Sequence, residues 1–281
     1  MWALDRPQHS ARSAYATCIS RVRNPGLAAR LAAATTTVVE ASAAFDLAAA
    51  QGRLHQIATS AIVAPDITTE EMGKVYAQRM VKNGSPGREI YDEIFGCSAH
   101  GRCPLCGQRP VATIDHHLPK AHYPALAVAP LNLLPACSDC NKAKLDAIPA
   151  TAEEVALHPY YDDLGDDVWL IARVVERRPA ALRFQVRSPA VWGPVLTARV
   201  LHHFRSLHLA ALYASEAAEE LINIRHQLVM LATSGAAGAV RGELERRAES
   251  CAIGRQNGWR SAAYRAWNES DWFCGGGFEG A

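Results

Sequence analysis

Four cysteines in two close pairs, Cys103/Cys106 and Cys137/Cys140, bracket the run Asp115-His116-His117-Leu118-Pro119. Two Cys-x2-Cys knuckles supply the four thiolates of a closed, tetrahedral structural zinc site. The second knuckle runs straight into Asn141-Lys142-Ala143-Lys144. A segment this rich in Gly, Pro, Cys and His buries little apolar surface, and a structural zinc contributes on the order of 10–16 kcal/mol to folding in finger-sized peptides. The metal closes the loop between Cys106 and Cys137 and so fixes its contents relative to one another. Those contents include an acid and an imidazole, with an amide just beyond.

Phosphodiester hydrolysis needs a nucleophilic water, a base to take its proton, and a cation to stabilise charge on the phosphorane and the leaving oxygen. Histidine is the natural base near neutral pH. Asp115 and Asn141 offer a carboxylate and an amide oxygen, the hard donors that Mg²⁺ prefers. Asn132 can tie the loop to a strand through its side chain and so fix the ring of His116. On spacing alone, either His116 or His117 serves as the base. Adjacent strand residues face opposite ways. Asp115 and His116 therefore meet one phosphate only if the strand ends or distorts there, and Pro119 favours such an ending.

The pattern Cys-x2-Cys, Asp115-His116-x-x-Pro119, Asn132-Leu133, then Cys137-x2-Cys140-Asn141-x-x-Lys144 resembles the HNH endonuclease family, the ββα-metal or His-Me finger nucleases. The resemblance covers about residues 97–146. It implies His116 as general base, Asp115 and Asn141 as ligands of a catalytic Mg²⁺ or Mn²⁺, Asn132 as the orienting asparagine, and the four cysteines as ligands of a structural zinc. The third motif position is Asn141 rather than His, which matches the branch that places an Asp and an Asn on Mg²⁺. The wider context is similar to stand-alone bacterial HNH proteins, some of which accompany an ATPase in anti-phage defence. DNA is the implied substrate, with RNA left open, and an ATPase or other regulatory subunit is the implied partner. His117, Lys120, His122, Lys142 and Lys144 are the candidate nucleic-acid contacts.

Around this segment the sequence predicts an α+β protein: a zinc-stapled ββα unit embedded between mainly helical regions, with a β-hairpin after it. Residues 1–95 read as helical. Ala/Leu-rich stretches fill 27–60, Thr68 and Glu71 form a capping box opening a helix to Val81, and Ser85-Pro86 offers a start for Arg88–Phe95. Residues 96–150 form the nuclease unit, with extended pieces at 111–114 and 131–134 and a short helix over 139–145. Residues 151–190 hold a linker and hairpin, whose strands are expected at 168–175 and 182–187. Residues 191–281 carry a long helical pattern broken at Ser234-Gly235 and Gly238, an Arg-rich helix, and a frayed tail from Cys274.

The remaining features narrow the class. The chain has 281 residues, 49% hydrophobic and 20% charged, in the range of globular domains. Its net charge of +1 excludes a general polycation, so nucleic-acid binding must be local. The start has no signal-peptide core and no apolar run has membrane-span length, so a cytoplasmic protein without a membrane partner is expected. In a reducing compartment Cys18, Cys97, Cys251 and Cys274 read as free thiols, with Cys97 a spare zinc ligand. The competing reading is a zinc-stapled module that binds nucleic acid or protein without catalysis. Such a module has no need to keep Asp115, His116, Asn132 and Asn141 together. The helical flanks also suit a scaffold for homo-oligomers.

Overall fold

A computed structural model describes residues 1–234 and 238–279. The chain divides into two compact units, Met1–Asp163 and Leu164–Ala281. Four segments are expected from the sequence, but the N-terminal helices and the cysteine-rich segment share one core. The protein is mixed α/β, with small two-stranded sheets and a buried four-cysteine cluster. No helix among the described residues is long and apolar enough to cross a membrane.

The first unit begins with α1 (Ala11–Ile19), α2 (Pro25–Ala33) and α3 (Thr35–Ala50). Side-chain caps from Ser10 and Asn24 start the first two, satisfying backbone N–H groups that would otherwise lack partners. A short antiparallel pair, β1 (Ile62–Val63) and β2 (Ile67–Thr68), interrupts the stretch expected to be wholly helical. Thr68 and Glu71 form the expected capping box at the start of α4 (Thr69–Val75), which continues as a π-helical turn over Tyr76–Val81. The next helix, α5 (Arg88–Gly96), is preceded by Gly87 rather than capped by Ser85. Only glycine fits there, since a Cβ would lie 2.7 Å from Cys18 Sγ and 2.9 Å from the Arg79 carbonyl.

The site hairpin follows: β3 (Thr113–His116) pairs antiparallel with β4 (Leu133–Ala136), and α6 (Ser138–Lys144) comes directly after. The hairpin rests on two apolar clusters. Ile114 and Leu133 join Tyr15, Val38, Met72 and Ile90 in one. The connecting loop contributes Leu118, Tyr123 and Leu126 to the other, against Phe45, Leu54 and Val155. At about 25 cal/mol per Å² of buried apolar surface, these helices provide the core that the cysteine-rich segment lacks.

The second unit holds the expected hairpin, β5 (Leu170–Val175) and β6 (Ala181–Val186). Helices α7 (Pro194–Ser206), α8 (Leu209–Thr233), α9 (Ala239–Arg255) and α10 (Trp259–Glu269) follow. The long helical pattern breaks at His208, whose φ of 53° is left-handed, a break that no Gly or Pro announces. Of the expected breakers, Gly235 lies outside the described residues. The tail is not frayed over its described part: Phe273 and Phe278 are fully buried, and Phe273 stacks on Trp267 with centroids 5.6 Å apart.

Candidate active site

The four-cysteine cluster is assembled from two tight turns. In the first, Cys103 N–H donates to the Arg109 carbonyl and Gly107 N–H to the Cys103 carbonyl, at 2.8 and 2.7 Å. Gly107 has a left-handed φ of 67°, which lets this knuckle close. In the second, Cys137 caps α6 and its sulfur accepts from Cys140 N–H at 3.4 Å. The four sulfurs are buried and lie within 4.8 Å of one another, with Cys106 and Cys137 at 4.0 Å. A tetrahedron with Zn–S bonds of about 2.3 Å has S···S edges of roughly 3.8 Å, so the cluster fits a zinc ion. Cys97 is no part of it: the thiol lies outside the cluster, and burial pushes it above its usual range.

A cleft of about 400 Å³ opens where β3 ends and α6 passes. Asp115, His116 and Asn141 line it together, along with Lys120, Lys142 and Tyr76. The strand ends at His116, which lets neighbouring residues of opposite facing reach one space.

His116 is almost fully buried, and its ring packs edge-on to Tyr76 with centroids 4.5 Å apart. Its Nε2 lies 2.9 Å from the Ala127 carbonyl. A carbonyl only accepts, so Nε2 carries the proton and Nδ1 keeps the lone pair. Burial, with a smaller push from Lys120, drives this imidazole down to about 3, so it is neutral across the physiological range.

Asp115 is also buried. Lys144 Nζ lies 3.1 Å from its Oδ2 and 3.4 Å from its Oδ1, and among the described residues no further side chain or backbone group donates a hydrogen bond to Oδ2. Burial raises this carboxyl above its usual range, and the nearby ammonium only partly offsets that. Lys144 also donates to the His116 carbonyl. Its ammonium thus stands where a cation bound to Asp115 would stand. The Asp115 carboxylate, already beside one cation, and the Asn141 amide fit the hard-oxygen preference of Mg²⁺ or Mn²⁺.

Asn132 is fully buried and holds the loop from both sides. Its Oδ1 accepts from Leu118 N–H at 2.7 Å, while Nδ2 donates to the carbonyls of Leu118 and Leu126 at 3.0 and 3.3 Å. Its own carbonyl accepts from His117 N–H at 2.8 Å. Leu126 adjoins Ala127, whose carbonyl orients His116. Asn132 is therefore a positioning residue acting through the loop.

Three candidate nucleic-acid contacts are placed differently from expectation. His117 is buried on the far side, its ring 4.3 Å from that of His158 and edge-on to Phe45. His122 is half-buried and does not line the cleft; its carbonyl accepts from Ser60 N–H. Lys144 is engaged with Asp115 rather than open to a phosphate. Lys120 and Lys142 are exposed at the cleft, Lys120 lying 5.6 Å from the centre of the Tyr76 ring. Sequence reasoning missed the Ala127 carbonyl and Tyr76. The first is a backbone atom with no side-chain signature, and the second sits on a remote helix.

No protein-family profile matches the chain, and no solved structure does. Over 176 residues it is 35% identical to Protein ea31 of Escherichia phage lambda. The matched stretch covers 61% of this chain and 59% of that protein, whose name describes no activity.

Proposed function

We propose that the chain is a metal-dependent endonuclease of HNH type that hydrolyses phosphodiester bonds of DNA. The observation that carries this reading is the cleft where Asp115, His116 and Asn141 meet, with Nε2 of His116 tied to Ala127 and the buried Asp115 carboxylate already holding one cation, the Lys144 ammonium. A structural module would have no reason to keep a buried carboxylate, an amide and a neutral imidazole of fixed tautomer on one cleft.

In this mechanism Nδ1 of His116 takes the proton of the attacking water, and the resulting imidazolium keeps its Nε2–H bond to Ala127. Tyr76 and the Ala127 carbonyl hold the ring against rotation. Asn132 keeps the loop that carries this carbonyl in place. Asp115 and Asn141 would hold Mg²⁺ or Mn²⁺, which when bound supplies Lewis-acid stabilisation of the phosphorane and leaving-oxygen charge. Lys120 and Lys142 add positive charge for the phosphates either side of the scissile one. Lys144, now paired with Asp115, holds positive charge at this carboxylate.

The test is supercoiled plasmid incubated with zinc-loaded protein, with and without added Mg²⁺ or Mn²⁺, beside Asp115→Ala. Nicking that requires the added cation and disappears in the variant is expected. Folded, zinc-loaded wild type that never nicks under any of these conditions would overturn the reading.

A further inference from the structure

A second groove lies on the other side of the helical segment that borders the cleft. It has a volume of about 650 Å³ and is lined by Arg21, Arg23, Arg79 and Lys82, with no carboxylate in its wall. Acidic and basic residues nearly balance over residues 1–163, so this is segregation of charge and not a reflection of a basic unit. Most cations of the unit are neutralised or engaged. Arg6, Arg30, Lys74, Arg88, Arg109 and Lys144 pair with carboxylates. Arg21, Arg23 and Lys82 are exposed, and their side chains have no partner among the described residues. Apart from Arg12, the other cation left in this way among the described residues of the unit is Lys142, at the cleft, where Lys120 lies over the Tyr76 ring.

The groove is built rather than incidental. Arg79 donates through Nη1 to the Arg21 carbonyl at 2.7 Å, pinning the turn after α1. The Arg79 carbonyl accepts from Gly87 N–H at 2.8 Å, pinning the turn before α5. Both turns carry their cations on fixed backbone. The two hollows meet along the chain: Tyr76 and Val81 line the cleft, while Gln78, Arg79 and Lys82 line the groove.

We infer that this groove binds the sugar-phosphate backbone of the nucleic acid whose scissile phosphate enters the cleft. The inference rests on the nuclease reading and extends it, making Arg21, Arg23 and Lys82 the binding track of the substrate. A small anion would need one converging pocket. Free cations spread along an open groove with no carboxylate in its wall suit an extended polyanion.

The experiment measures binding of labelled duplex DNA and, separately, duplex RNA to the full zinc-loaded chain across a salt series, without added Mg²⁺. Wild type is compared with Arg21→Glu/Arg23→Glu/Lys82→Glu, with the corresponding triple Gln variant, and with Arg12→Glu, which alters an unpartnered cation outside the groove. Each lost phosphate contact lowers the slope of log affinity against log salt by roughly 0.9, so a fall of about 2 to 3 is expected for the triple variants. Arg12→Glu should leave the slope unchanged. Zinc content and thermal melting confirm that the variants fold, since none of these side chains supports the core. A loss seen with only one of the two duplexes identifies that polymer as the occupant. Unchanged slope and affinity in both triple variants, or absence of binding by wild type, would overturn the inference. Failure here with metal-dependent plasmid nicking intact leaves the nuclease reading standing. Groove-dependent binding without any nicking has the opposite meaning.

Discussion

Replacing Asn132 with alanine tests how the fold holds the imidazole. The substitution deletes the partner of Leu118 N–H and of the Leu118 carbonyl, both inside a site from which solvent is excluded. The Leu126 carbonyl suffers less, because it still accepts from Ala129 N–H at 3.2 Å. Two buried polar groups are thus orphaned, each at about 1–3 kcal/mol. Entry of a water into the vacated space trims the total, and a loss of about 3 kcal/mol is expected. For a unit of this size that is a fall in Tm of roughly 6–12 °C. Thermal and urea unfolding read it directly. Asn132→Asp is the sharper companion, since it keeps the shape but turns a donor into an acceptor facing two carbonyls, and it should destabilise at least as much. Either variant melting within about 0.5 kcal/mol of wild type, the range of an ordinary surface change, would refute the idea that this amide organises the loop.

Other outcomes follow from the same geometry. Metal analysis should find zinc bound by Cys103, Cys106, Cys137 and Cys140, and Cys137→Ser or chelation should expose the 97–146 segment to limited proteolysis. Resistance to proteolysis after zinc removal would show that the helices alone hold it. Thr68→Ala removes the capping box of α4 and should cost about 1 kcal/mol in urea unfolding. Lys144→Gln removes the cation already beside Asp115, so Mn²⁺ binding followed by calorimetry should tighten several-fold. Weaker Mn²⁺ binding would instead make Lys144 a support for Asp115. Burial raises Tyr15 to about 12, and Tyr76, Tyr160 and Tyr161 also lie above their usual 10. The stability this represents is complete below pH 10 and is lost as pH rises through the folded-state values. Alkaline unfolding should therefore coincide with tyrosinate absorbance, and non-cooperative titration near pH 10 would contradict the burial.

Side-chain chemistry and short spacings made much of the site legible in the sequence. The four cysteines, Asp115 and Asn141 are read by type and interval, and His116 over His117 by the family resemblance; the cysteines form one cluster, and Asp115, His116 and Asn141 line one cleft. The Thr68–Glu71 cap and the second hairpin were legible for the same reason, since local hydrogen bonding and alternation leave a pattern within a few residues. Three kinds of information were not. Which of His116 and His117 faces the cleft depends on where β3 ends and what packs beneath it, here Tyr76 on one side and Phe45 with His158 on the other. The Ala127 carbonyl is a backbone atom placed by loop geometry. The groove cations come from the turn after α1 and the end of the helical segment before α5, distant in sequence, and only the fold brings them to one surface. The tail shows the opposite error: its glycines suggested fraying, but Phe273 and Phe278 supply enough apolar surface to dock it.

The central claim is that the cleft performs base-assisted hydrolysis through His116, and the neighbouring histidine provides the control. Single-turnover cleavage of an end-labelled DNA duplex with Mg²⁺ should be compared for wild type, His116→Ala and His117→Ala. Loss of a general base costs about 10²–10⁴ in rate, so His116→Ala should fall by that much. His117→Ala, corrected for its folded fraction, should cleave near the wild-type rate. Undiminished cleavage by folded His116→Ala, or a loss confined to His117→Ala, would contradict the account.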